Sequence, residues 1–144
     1  MKIHRTSSSR ETKALGASFA SRISFLPRRR ALVIALFGDL GSGKTTFVQG
    51  FLKAMGARGN ITSPTFVLMR RYTPKKSGKV MYHLDLYRIR RPSELAALRV
   101  SELFRDPRNI ILIEWAERAG RTLPRGAHRV RFFHEAGGKR RIVL

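Results

Sequence analysis

The sequence predicts one α/β layered domain with a largely parallel central sheet and added antiparallel hairpins. Three observations carry that expectation. Ala31–Phe37 (ALVIALF) and Asn109–Glu114 (NIILIE) are apolar runs of strand length, as strands buried on both faces read. A glycine-rich segment and then a helical apolar stripe follow the first run, which is the strand–helix alternation of a layered fold. Two further pairs of shorter runs, Phe66–Tyr72 with Lys79–Asp85 and Arg129–His134 with Lys139–Leu144, supply the hairpins.

The elements follow in chain order. Leu15, Phe19 and Ile23 repeat at helical spacing, so a first helix is expected from about Ser9 to Phe25, ended by Pro27-Arg28-Arg29-Arg30. Residues 1–30 are rich in Ser and Arg and superficially resemble a transit peptide. The apolar stripe instead makes this segment part of the fold, and the expected location is the cytoplasm. Thr45–Met55 places Phe47, Val48, Phe51, Leu52 and Met55 on one stripe, and Gly56 ends it. Thr73-Pro74-Lys75-Lys76-Ser77-Gly78 reads as the turn between the next two strands. A helix is expected to start near Pro92-Ser93, with Leu95, Leu98 and Leu103 facing inward. The tail should close as a hairpin around Ala136-Gly137-Gly138.

A chain of 144 residues fits a single domain, 1–144, with a sizeable core. It has no cysteine, which excludes disulfides, thiolate catalysis and Cys-based zinc sites. The longest apolar run is far shorter than the ~20 residues a membrane helix needs. Thirty Lys+Arg stand against nine Asp+Glu, a formal net charge of +21. Such a field attracts polyanions, so RNA or an acidic protein surface is a plausible partner. The bland alternative is a basic composition spread over solvated faces.

Gly38-Asp39-Leu40-Gly41-Ser42-Gly43-Lys44-Thr45 fits the phosphate-loop pattern G-x-x-x-x-G-K-[ST]. Its glycines let successive backbone N–H groups turn toward phosphate oxygens, and the following helix adds its positive end. Lys44 would charge-pair the β/γ-phosphates and the Thr45 hydroxyl would ligate Mg²⁺. Chance alone gives such a match roughly once in a hundred chains of this size. The buried strand before it and the amphipathic helix after it are the context the motif requires. The fold class thereby narrows to a P-loop NTPase-like three-layer domain.

Such a loop needs a carboxylate for Mg²⁺ and a group to orient water. Asp85 and Glu114 both close strands, and ligands of open α/β sheets sit beyond the carboxyl ends of strands. Asp39 reads better as a backbone-capping residue of the loop. Glu94, Glu102 and Glu117 fall on expected helices, where a solvated face is the default. Thr62-Ser63-Pro64-Thr65-Phe66 occupies the place of a P-loop switch, whose Thr hydroxyl answers to the γ-phosphate, although a simple turn reads equally well. Trp115 adjoins Glu114 and could shape the pocket or simply fill core. His83 reads as a packed or hydrogen-bonded strand residue.

Together GDLGSGKTTF (Gly38–Phe47), SPTF (Ser63–Phe66), HLDLYR (His83–Arg88) and IEWAER (Ile113–Arg118), in this order and spacing, resemble the TsaE (YjeE) family. Those proteins are the bacterial ATPases of tRNA threonylcarbamoyladenosine synthesis. Glu11-Thr12 with Ala14-Leu15-Gly16 extends the resemblance over nearly the whole chain. The resemblance implies ATP and Mg²⁺ as cofactors and slow hydrolysis by the isolated protein. It implies association with TsaB and TsaD homologues, with tRNA met indirectly or through the basic surface. By matching position, the loop residues Asp39 to Thr46 bind the nucleotide, Lys44 and Thr45 holding phosphate and Mg²⁺. Asp85 supports the metal, Thr65 belongs to the switch, and Glu114 assists the water or the metal. Trp115 matches a position tied to activity, and Thr12 one that approaches the nucleotide. The chain stops at Leu144, where some relatives continue, which leaves a C-terminal nucleotide contact such as Arg141 open.

A P-loop kinase of a small hydroxyl compound is the main rival, and the supply of Arg for its lid is ample. HLDLYR and IEWAER have no kinase rationale, however. A GTPase lacks support because no Asn-Lys-x-Asp segment occurs. A basic RNA-binding module with a nucleotide switch is a third class, disfavoured by the lack of an aromatic-rich platform.

Overall fold

Apolar continuity decides which strands take the centre of the sheet. In the computed structural model, which describes residues 1–75 and 77–144, the strands are β1 (Ile3–Thr6), β2 (Leu32–Phe37), β3 (Met69–Tyr72), β4 (Val80–Asp85), β5 (Asn109–Glu114), β6 (His128–His134) and β7 (Arg140–Val143). The helices are α1 (Ser9–Ile23), α2 (Lys44–Ala54), α3 (Glu94–Ala97) and α4 (Val100–Leu103). The strands form one sheet in the order β1-β7-β6-β2-β5-β4-β3. Here β2, the most apolar run, lies between β6 and β5 and is parallel to both. Parallel β4 extends this core, while β3, β7 and β1 complete the edges in antiparallel pairs.

Strand alternation sorts the core into two layers. Leu32, Ile34 and Leu36 of β2, with Ile110 and Leu112 of β5, meet Phe19 and Ile23 of α1 and Phe47 and Phe51 of α2. Val33 and Ala35, with Ile111 and Ile113, meet Leu95, Val100, Ala116 and Ala119 on the opposite face. The last two belong to a 3₁₀ segment, Ala116–Thr122. The result is the expected three-layer α/β arrangement. Among the described residues, no helix is long and apolar enough to cross a membrane.

Several boundaries differ from expectation for local reasons. At its start α1 is capped by the Ser8 hydroxyl, which accepts from the Glu11 N–H. It stops at Ile23, two residues short of Phe25, because Phe25 and Leu26 lie exposed beyond the core. The expected helix after Pro92 is two short helices, broken at Arg99 in the left-handed region (φ 51°). The expected strand from Phe66 begins only at Met69, since Leu68 (φ 62°) turns the chain first. Its hairpin turn includes Lys76, which lies outside the described residues. β1 was not expected; Ile3–Thr6 becomes a strand by pairing with β7.

Two glycines set how closely α2 approaches α1. A Cβ on Gly50 would stand 2.0 Å from the Lys13 carbonyl oxygen, and one on Gly16 2.2 Å from the Phe47 carbonyl oxygen. Neither oxygen can yield without moving a helix. Gly50→Ala should therefore lose about 1–3 kcal/mol of stability by overpacking, despite the roughly 1 kcal/mol helix-propensity advantage of Ala. Urea unfolding measures this, and an unchanged or higher midpoint would show that the helix spacing does not depend on these glycines.

Candidate functional site

The chain leaves β2 at Phe37, crosses Gly38–Gly43 and enters α2 at Lys44. Gly43 serves as N-cap in the left-handed region (φ 103°), which turns the first helical N–H groups toward the loop's concavity. Asp39 braces the loop through its carbonyl oxygen, which accepts from the Ser42 N–H at 3.2 Å. Capping by Asp39 thus comes from its backbone. The Lys44 ammonium donates to the Gly38 and Asp39 carbonyl oxygens at 2.6 and 2.8 Å. It also sits 4.0 Å from the centre of the Trp115 ring. Burial holds the Lys44 pKa below the ordinary lysine range, opposed by the negative charges of Glu114, Glu117, Asp85 and Asp39.

Alternation along β4 and β5 delivers the two acids. Met81, Ile110 and Leu112 face the α1–α2 layer, so His83, Asp85 and Glu114, two or four residues on, face the same side. Asp85 and Glu114 are register partners on adjacent parallel strands. Their backbones are consequently only about 4.8 Å apart. The Thr45 hydroxyl donates to Glu114 Oε2 at 2.8 Å, tying the start of α2 to the end of β5. Glu114 Oε1 lies 2.7 Å from His83 Nε2, in a fully buried pair.

Asp85 is engaged on both oxygens. Oδ2 accepts from the Ser63 and Thr65 hydroxyls at 2.6 and 2.7 Å, and Oδ1 accepts from the Tyr87 N–H at 2.9 Å. The switch-like segment is therefore fastened to the acid at the end of β4. Lys44, Thr45, Thr65, Asp85, Glu114 and Trp115 line one cavity of about 330 Å³, with Leu40, Gly41, Gly43 and Thr46 at its loop side.

A family model described as threonylcarbamoyl adenosine biosynthesis protein TsaE matches residues 6–142. The chain belongs to the TsaE family. A tRNA threonylcarbamoyladenosine biosynthesis protein TsaE of Haemophilus influenzae is 40% identical over 76% of this chain and 67% of its own. The Bacillus subtilis protein of the same name is 36% identical over 83% of this chain and 70% of its own. The crystal structure of Bacillus subtilis YdiB superposes with a TM-score of 0.78 at 28% identity, covering 98% of this chain and 82% of that one.

Most expected site residues of this TsaE-family chain thus converge on one cavity, and three stand apart from its lining. Asp39 is exposed, and Ser42 is buried within the loop. Thr12 is fully buried, bonded to the Thr6 hydroxyl at 2.8 Å and the Ser8 carbonyl oxygen at 3.1 Å. Its methyl group lies behind Gly43, about where a Cβ there would touch it at 3.5 Å. Thr12 backs the loop from beneath.

Reading the sequence missed three loop neighbours. His134 bonds the Leu40 carbonyl oxygen through Nε2 at 3.1 Å. Arg140 packs its side chain against Gly43, whereas Arg141 turns to Phe133 and pairs with Glu135. Hairpin alternation could have separated the two arginines had the register been known. Tyr87 stacks on Trp115 with ring centres 5.0 Å apart. Its signal was its place two residues after Asp85.

The His83–Glu114 pair makes a thermodynamic prediction. Glu114→Leu removes the partner of His83 Nε2 in a buried setting and should cost about 1–3 kcal/mol. Adding His83→Leu should recover part of that loss, because both polar groups are then gone. A double-mutant cycle by chemical denaturation tests it; additive losses would show that the two side chains do not interact.

Proposed function

We propose that this TsaE-family protein binds ATP with Mg²⁺ between the Gly38–Thr45 loop and the Asp85–Glu114 pair and hydrolyses it slowly. In this reading it serves tRNA threonylcarbamoyladenosine biosynthesis in the cytoplasm by joining homologues of TsaB and TsaD. The observation that supports it best is the convergence of a phosphate loop, two register-paired carboxylates and the Ser63–Thr65 segment on one cavity.

The donor set suits a hard cation. Thr45, Glu114 and Asp85 offer oxygen ligands, as Mg²⁺ prefers. Among the described residues no group of three or more His, Cys, Asp or Glu forms a metal cage. That fits an ion that takes one or two carboxylates and completes its shell with phosphate oxygens and water. Bound there, Mg²⁺ would neutralise charge on the β- and γ-phosphates. Lys44 would exchange its two carbonyl partners for phosphate oxygens, and the loop N–H groups with the start of α2 would hold the rest. Glu114 would orient the attacking water or the metal's water shell.

Slow turnover follows from the same contacts. Both Glu114 oxygens and both Asp85 oxygens already carry hydrogen bonds. Any new role for either carboxylate would compete with these bonds for its geometry. A partner that reorders Ser63–Phe66, or adds a cation at the γ-phosphate, would accelerate the reaction; in other P-loop enzymes a supplied arginine is worth about 10³–10⁵-fold. Leu40 and Tyr87 line the cavity and are exposed, and Phe66 and Val67 are exposed directly after Thr65, so together they offer that partner an apolar landing surface.

Glu114→Ala should keep nucleotide binding while turnover falls by about 10²-fold or more. Lys44→Ala should lose binding as well. Isothermal titration and phosphate release separate the two, and equal loss of binding in both variants would remove the division of roles. Because the Lys44 ammonium rests on the Trp115 ring, saturating ATP should change the fluorescence of this single tryptophan. An unaltered spectrum at saturation would place the nucleotide elsewhere.

A further inference from the structure

A second cleft is larger than the nucleotide cavity. It has a volume of about 860 Å³ and lies where the parallel strands begin, at the edge of the sheet opposite the phosphate loop. Six arginines line it: Arg28, Arg29 and Arg30 before β2, Arg105 before β5, and Arg121 and Arg125 before β6. The six residues of β2 separate it from the loop by about 20 Å. We propose that this cleft binds the phosphate backbone of RNA; that the RNA is a tRNA rests on the TsaE-family reading above.

Four features carry the inference. No carboxylate lines the cleft. Among the described residues none of the six guanidinium groups has an ion-pair partner, and the nearest acid in sequence, Asp106, is taken by Arg108 at 2.8 Å. Arg28 donates to the Ile23 carbonyl oxygen through Nη2, while its buried Nε has no partner. The concentrated positive charge is felt locally: His128 is held below the ordinary histidine range by burial and then by the charge of Arg28.

The residue type selects the ligand. All six cations are Arg and none is Lys, and the planar guanidinium fork matches phosphate oxygens in pairs. An acidic protein partner would need an apolar anchor to hold, yet Phe104, the one aromatic at the cleft, is already buried in the core. No exposed aromatic lines the cleft for base stacking, so recognition of backbone and shape is expected, without sequence reading. The proposal is independent of the ATPase reading, since the two sites share no residue.

The test uses the full chain, a labelled tRNA transcript and fluorescence anisotropy across a salt series. The quadruple variant Arg29→Gln, Arg30→Gln, Arg121→Gln, Arg125→Gln changes exposed side chains only. The control Arg10→Gln, Arg58→Gln, Arg70→Gln, Arg71→Gln removes the same charge from other exposed positions. The cleft variant should bind tRNA at least about tenfold more weakly, with a salt slope shallower by about 3. The control should stay within about threefold of the parent chain. ATP binding and hydrolysis by the cleft variant should match the parent, so failure of the ATPase reading would appear in a separate measurement. Equal losses in the two variants would mean a diffuse field and overturn the site, as would no loss in either. A loss of tRNA binding confined to the control variant, or binding of poly-glutamate with affinity equal to tRNA, would likewise reject an RNA-phosphate site.

Discussion

The parallel pairing of β2 with β5 is the constraint on which the site depends. Leu36 of β2 is the register partner of Glu114. The strand that launches the phosphate loop therefore ends level with the strand that carries the acid. From there the Thr45 hydroxyl needs to span only one hydrogen bond to reach Glu114. Slipping the β2–β5 register by one residue would turn Glu114 toward the α3–α4 layer, where Ile111 and Ile113 now lie, and bury a charge among apolar side chains. Packing and chemistry are thus fixed by one register, and the same holds one strand further out, where Asp85 pairs with Glu114.

What was legible in the sequence is what short-range pattern encodes. The β5 run NIILIE has the bounds expected of it, since every residue is buried and Asp106-Pro107 and the Trp115 turn delimit it. The phosphate loop and both strand-end acids could be placed because each couples a residue type to an element end. Features set by distant partners were not legible. β1 has the sequence IHRT, with one buried residue, and owes its strand to β7, whose partner residues lie 134 to 140 positions away in sequence. The break at Arg99 carries neither Gly nor Pro, and only the need to seat both Leu95 and Val100 in the core demands it. Arg140 and Arg141 are adjacent and identical in type. Pairing of β6 with β7 sends one to the loop and the other to Glu135.

Charge is distributed along the sheet axis in a way composition could not reveal. Asp85 and Glu114 sit at the carboxyl ends of the parallel strands, both buried, with Lys44 between them and the loop. The arginine-lined cleft opens at the other ends. The nine acids of the chain cannot neutralise thirty cations, but their placement matters more than their number. Two are buried beside the phosphate loop, where in the proposed reading a bound Mg²⁺ would balance them, and none of the others lines the arginine cleft.

The Lys44 contacts satisfy a buried cation within the loop and its neighbour Trp115. An ammonium buried without partners would be strongly disfavoured. Here two loop carbonyl oxygens and the face of Trp115 receive it. That ring is held over Lys44 by a backbone in the left-handed region (φ 55°), a conformation that costs a bulky residue roughly 1–2 kcal/mol. Tyr87 stacking on Trp115, and the Tyr87 N–H bonded to Asp85, oppose that strain. The tryptophan turn, the end of β4 and the phosphate loop consequently form one mechanically connected unit. Displacing Lys44 toward a phosphate would remove the cation that favours the ring's present position. The lysine of the phosphate loop and the Ser63–Thr65 segment thus share one chain of neighbours, Lys44 to Trp115 to Tyr87 to Asp85.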